Sequence, residues 1–106
     1  MIDIEKGTGN VFADLGLPNA DEMLVKAQLA IKIAEIIKYR RLNQTKAAQI
    51  LGLTQPKLSN LLSGKFRGIS EAKMLECLAR LGRDVKIVVG APRKRQDAGS
   101  VKVVFA

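Results

Sequence analysis

A chain of 106 residues that is 47% apolar and 4% aromatic has room for one hydrophobic core, built mostly from Leu, Ile, Val and Ala. It carries a net charge of +8, no histidine and a single cysteine, Cys77. The usual general base, the commonest metal ligand and any internal disulfide are therefore missing, and no Gly-rich phosphate loop replaces them. Neither catalysis nor a cofactor is expected.

Residues 1–18 hold Gly7, Gly9, Gly16 and Pro18 around Val11, Phe12, Leu15 and Leu17, which reads as an irregular arm able to pack on its own first helix or on a partner. Asn19 and Glu22 are spaced as a capping box. The spacing predicts a helix from about Ala20 to Arg41, with Met23, Ala27, Ala30, Ala34 and Ile37 as one apolar stripe. Leu24, Ile31, Leu29, Ile33 and Ile36 widen that stripe. Lys26, Lys32 and Lys38 interrupt it, so it falls short of a membrane span. Asp3 and Glu5 at the start do not resemble the basic head of a secretory signal, and with one cysteine a reduced cytoplasmic setting is expected.

Three short helices follow, each with its own punctuation. Asn43 caps the second, which ends at Leu51 before Gly52. Thr54 caps the third, Pro56 sits in its first turn, Leu53 and Leu58 form a hydrophobic staple, and Gly64 stops it. Ser70 caps the fourth, with Ile69 and Met74 as its staple and Gly82 at its end. Cys77 shares that helix with Leu75, Leu78 and Leu81 and reads as a small core residue. Beyond Gly82 the period changes to two. Val85–Val89 and Val101–Phe105 are expected as short strands, separated by a polar stretch with Arg93, Lys94 and Arg95 that is either a tail grazing a binding partner or a solvated linker.

Charge is distributed unevenly along these elements. Residues 1–22 carry a net charge of −4, whereas residues 36–70 carry +7 and no acidic side chain. That stretch holds Lys38, Arg40, Arg41, Lys46, Lys57, Lys65 and Arg67, the footprint of a polyanion-binding face. The segment Asn43–Gly64 lies within it. Two helices of two turns joined across Gly52, Leu53 and Thr54 must cross steeply; Ala47 and Ala48 let them approach while Ile50, Leu53, Leu58 and Leu61 fill the junction. This leaves the first turn of the later helix projecting, with Gln55, Lys57, Ser59 and Asn60 on it. Gln and Asn can bond bidentately to adenine, and Lys can reach guanine, in the major groove.

The segment resembles the Cro and phage-repressor-like helix-turn-helix family, the Xre-like regulators. The resemblance implies a mainly α, lambda-repressor-like domain of four to five helices spanning residues 19–82. An N-terminal arm (1–18) would precede it and a short C-terminal β extension (83–106) would follow. It implies base reading by Gln55, Pro56, Lys57 and Asn60, although Pro56 departs from the usual polar residue and would lose one base contact or meet a thymine methyl. Phosphate contacts fall to Gln44, Lys46, Thr54 and Ser59, and to Lys65 and Arg67 in the following loop, for which a merely solvated loop is the rival reading. A second resemblance covers nearly all the chain. Residues Phe12–Ala20, Gln55–Ser59 and Gly82–Ile87 look like antitoxins of the host-inhibition-of-growth (HigA-like) group. It implies a protein that represses its own operon and neutralises a RelE-like toxin; a stand-alone regulator is the alternative. The expected partners are double-stranded DNA with a palindromic operator and a second copy of the chain, at the nucleoid in the cytoplasm. An RNA-binding module is disfavoured because exposed aromatic residues for stacking are nearly absent.

Overall fold

The computed structural model describes residues 2–3, 20–94 and 98–106. The expected N-terminal arm and the Asn19 half of the capping box lie outside the described residues. Helix α1 spans Ala20–Tyr39, with Asp21 and Glu22 in its first turn and Lys38 in its last, each complementing the nearby end of the helix dipole. It stops two residues short of the expected end because Arg41 adopts a left-handed backbone (φ 54°), and the Leu42 N–H turns back to the Ile37 carbonyl at 3.1 Å.

The face that α1 buries is centred on the residues expected to widen the stripe, with Ala30 and Ile37 of the stripe itself and with Val25 added. Val25, Leu29, Ile33, Ile36 and Ile37 are buried, as is Ala30, whereas Met23, Ala27 and Ala34 are half-buried and Ile31 is exposed. Gln28 is buried too, and neither its side-chain nitrogen nor its oxygen has a hydrogen-bond partner among the described residues.

The short helices form where their caps place them. Helix α2 spans Gln44–Leu51, and the Asn43 side chain accepts from the Lys46 N–H at 2.8 Å. Helix α3 spans Gln55–Leu62, with the Thr54 hydroxyl accepting from the Lys57 N–H at 3.3 Å and Pro56 in the first turn. Helix α4 spans Glu71–Arg80, with the Ser70 hydroxyl accepting from the Lys73 N–H at 3.0 Å. Each cap satisfies one of the donors that a helix start leaves orphaned. Gly52 ends α2 at φ 67°, a conformation costly for any residue bearing a Cβ.

Helix α1 packs against α4 and α3, and α2 packs against α3 and α4. Ile33, Leu51, Leu58, Leu61, Met74 and Cys77 meet in the fully buried centre. Cys77 is thus core, and burial pushes its thiol above the ordinary value of 9.0.

The β extension is smaller than expected and paired differently. Val85–Val89 forms no strand; Ile87, Val88 and Val89 are 79%, 86% and 91% exposed. The second expected strand shrinks to β2, Val104–Phe105, which pairs antiparallel with β1, Ile2–Asp3, at the other end of the chain (Ile2 opposite Phe105, Asp3 opposite Val104). The physical reason is pairing. A strand needs a neighbour, β2 has its neighbour in β1, and no other strand among the described residues is offered to Val85–Val89. Val103 packs against the core and the Lys32 ammonium sits 5.0 Å from the centre of the Phe105 ring, so the chain end is seated on α1.

Candidate nucleic-acid interface

Leu58 and Leu61 are the buried anchors of α3. At ~100° per residue, Pro56, Ser59, Asn60 and Ser63 then point away from the core, with Gln55 and Lys57 on its two flanks. All six are exposed. The capping geometry explains how so short a helix can project its first turn. Thr54 and Pro56 fix the start, Leu58 and Leu61 hold the inner face, and the polar side chains have no competing partner in the core.

Gln55 is held in place by a residue that sequence reasoning passed over. Its Nε2 donates to the Thr45 hydroxyl of α2 at 3.3 Å, a bond across the turn between side chains ten residues apart. One N–H of the amide and its oxygen remain, which is the pair needed to donate to adenine N7 and accept from adenine N6. Ser63 was likewise missed; its hydroxyl donates to the Asn60 carbonyl at 3.2 Å and sits on the outward face.

Gln44 and Lys46 are exposed on the first turn of α2. Thr54 has its oxygen engaged as the α3 cap while its hydroxyl hydrogen stays available. Lys65 and Arg67 flank the buried Phe66 in the loop after α3, and both are exposed. That loop is tied to α3 by the Lys65 N–H, which donates to the Asn60 carbonyl at 2.7 Å, and to itself by the Ile69 N–H, which donates to the Phe66 carbonyl at 3.0 Å. The structure thus places the ten expected contact residues on α2, α3, their turn and the next loop.

Two cations outside the motif brace it. Arg80 of α4 donates from Nη1 to the Ile50 carbonyl at 3.4 Å, and its guanidinium lies against Gly52, where a Cβ would come within 3.0 Å of Nη1. Lys26 of α1 donates to the Arg67 carbonyl at 3.1 Å. Spacing could not have shown either role, since both depend on contacts between elements far apart in sequence. The acidic Glu76 near this edge is engaged by Lys73 and Arg80; the hydrogen bond from Lys73 holds its carboxyl below the ordinary value. No carboxylate occurs between residues 36 and 70, so the stretch that carries the expected contact residues has positive side chains only. Among the described residues no group of three His, Cys, Asp or Glu side chains could hold a metal ion, and no helix is long and apolar enough to cross a membrane.

Four helices, two of them short, packed together and joined across Gly52–Thr54, with an outward polar turn, define a helix-turn-helix protein. The helix-turn-helix domain family matches residues 11–90. A solved structure provisionally named as an XRE family transcriptional regulator is 36% identical; the match covers 84% of this chain and all of that one, with a TM-score of 0.76. The chain belongs to the XRE-type helix-turn-helix family. No curated protein matches it.

Proposed function

We propose that this protein binds a palindromic double-stranded DNA operator as a homodimer and represses transcription from it. The observation that carries this reading is the outward face of α3, where Thr45 holds Gln55 with its adenine-reading groups unengaged, inside a stretch of chain with no carboxylate. Gln55, Pro56, Lys57 and Asn60 read bases. Gln44, Lys46, Thr54, Ser59, Lys65 and Arg67 hold phosphates on either side and set the register. A single eight-residue helix covers a few base pairs, so a two-fold dimer is needed to place two copies about one DNA turn apart, roughly 34 Å. The exposed Val85–Val89 segment supports residues 83–106 as part of the dimer contact: it has alternating apolar side chains and no strand partner among the described residues of its own chain.

The same operator is read as the protein's own promoter, with a RelE-like toxin as its second partner; this antitoxin role rests on the resemblance at Phe12–Ala20, Gln55–Ser59 and Gly82–Ile87. Sequencing DNA fragments selected by the purified protein tests the DNA reading: an enriched inverted repeat is expected, and an unenriched pool overturns it. Co-expression with the product of the adjacent gene tests the antitoxin role. A stable complex and relief of growth arrest are expected, while a protein that binds its operator and rescues nothing is a stand-alone regulator.

A further inference from the structure

Lys26 lies in the middle of α1, and it is 5% exposed. Among the described residues its ammonium has two partners, the Glu22 carboxylate at 3.6 Å and the main-chain carbonyl of Arg67 at 3.1 Å. Burying an ammonium costs more than burying an apolar side chain of the same length, and its pairing with the half-exposed Glu22 carboxylate returns little stability. What the amine does that an apolar group could not is reach across 41 residues and fix one main-chain point of the loop after α3. That loop presents Lys65 and Arg67. Phe66 and Ile69 anchor it from within, both 6% exposed, but an apolar side chain slides in its pocket whereas a hydrogen bond sets the direction of a carbonyl.

We infer that Lys26 is a positioning residue for DNA binding: held by Glu22, it fixes the Arg67 main chain so that the Lys65 and Arg67 side chains meet backbone phosphates. The inference rests on the operator-binding reading above. Lys26 itself is too deeply buried to touch DNA. It acts by limiting the loop's conformations before DNA arrives, which reduces the ordering required on binding.

The test is a double-mutant cycle on the selected operator. Lys26→Met keeps the length and removes the donor. It is expected to melt no lower than the wild type, to bind the operator about five- to tenfold more weakly and to shallow the salt dependence by about one log unit per log unit of salt. In a Lys65→Ala/Arg67→Ala background the same change is expected to cost less than about twofold, because the side chains that Lys26 positions are gone. Lys26→Arg, which keeps a donor and the charge, is expected to restore most of the affinity. Lys26→Gln, smaller than the native side chain and too short to reach the carbonyl, repeats the loss in a variant that cannot overpack the core. Folded Lys26→Met or Lys26→Gln protein with wild-type affinity and salt slope overturns the inference. So does an equal loss in both backgrounds, which would make Lys26 an independent long-range charge. Wild-type protein that selects no DNA overturns the operator reading and this inference with it, whereas the first two results leave the operator reading standing.

Discussion

The bond between Thr45 and Gln55 allows the recognition surface to be dissected by one hydroxyl. Thr45→Val keeps the shape of the side chain on α2 and removes the acceptor for Gln55 Nε2. Gln55 is exposed and remains chemically competent to read adenine, but it must now be ordered when DNA binds. Ordering a rotamer-rich side chain costs about 0.5–1.5 kcal/mol, so Thr45→Val is expected to weaken the cognate operator by roughly two- to tenfold. Gln55→Ala removes the base contact itself and is expected to cost about 1–3 kcal/mol, and to relax discrimination at one base pair in each half-site. The two losses are not additive: Thr45→Val in the Gln55→Ala protein should change operator affinity by less than about twofold. Thermal stability should hold in both variants, since the bond is exposed and α3 keeps its Thr54 cap. The assay is fluorescence anisotropy on the selected operator and on single-base variants, at fixed salt. Full sequence preference in Gln55→Ala would show that another side chain reads that base pair. A Thr45→Val effect of equal size on non-specific DNA would refute the positioning argument.

Three further outcomes concern the scaffold. Gly52→Ala forces a Cβ into a left-handed conformation and toward Arg80 Nη1 at 3.0 Å, and is expected to destabilise by about 1–2 kcal/mol in urea melts. With Arg80→Ala already present the steric part disappears and about 1 kcal/mol should remain. Gln28→Met replaces a buried, unpartnered amide by an apolar side chain of similar length, and is expected to raise stability by about 1–3 kcal/mol; a lower melting temperature would show that the amide is satisfied in solution. Ile87→Lys with Val89→Lys adds charge to side chains already exposed within one chain, so the helical fold should be unchanged while sedimentation shows loss of the dimer. A dimer of undiminished strength would place the interface on α1 or α4.

Local chemistry made most of this architecture readable before any coordinates. Asn43, Thr54 and Ser70 are caps whose side chains bond the third residue on, and Gly52 takes the left-handed turn that ends α2, so the motif's frame is written in residues that satisfy helix ends. Periodicity was less informative for α1, where apolar side chains occur almost all round: of the stripe Met23, Ala27, Ala30, Ala34 and Ile37, only Ala30 and Ile37 are buried, while Val25 is inside. It misled in Val85–Val89, because alternation records a capacity to pair and says nothing of whether a partner exists. The contacts that organise the interface were not legible at all. Lys26 reads in the sequence as a break in an apolar face and Arg80 carries no motif there, yet each reaches a carbonyl thirty or more residues away.

Those contacts also bound how much of the +8 charge serves DNA. Lys26 and Arg80 donate to main-chain carbonyls of the motif and its loop, and Arg40 donates to the Leu81 carbonyl at 3.4 Å. Lys32 is shared between Glu35 and the Phe105 ring, and Lys73 is paired with Glu76. What remains exposed on α2, α3 and the following loop is Lys46, Lys57, Lys65 and Arg67. If each neutralises one phosphate, counterion release at roughly 0.9 per contact gives a salt slope of about −3.6 for a protomer and about −7 for the dimer. Replacing any one of the four by Ala should therefore shallow the dimer slope by about 1.8, one contact in each half-site. Arg40→Ala should leave the slope nearly unchanged, even where it lowers stability, because that guanidinium is turned toward the protein. A slope near −12 for the wild type would mean that two to three further cations per protomer, from Lys38, Arg41 and the Arg93–Arg95 stretch, also reach the backbone, and the bound interface would then extend well beyond the helix-turn-helix.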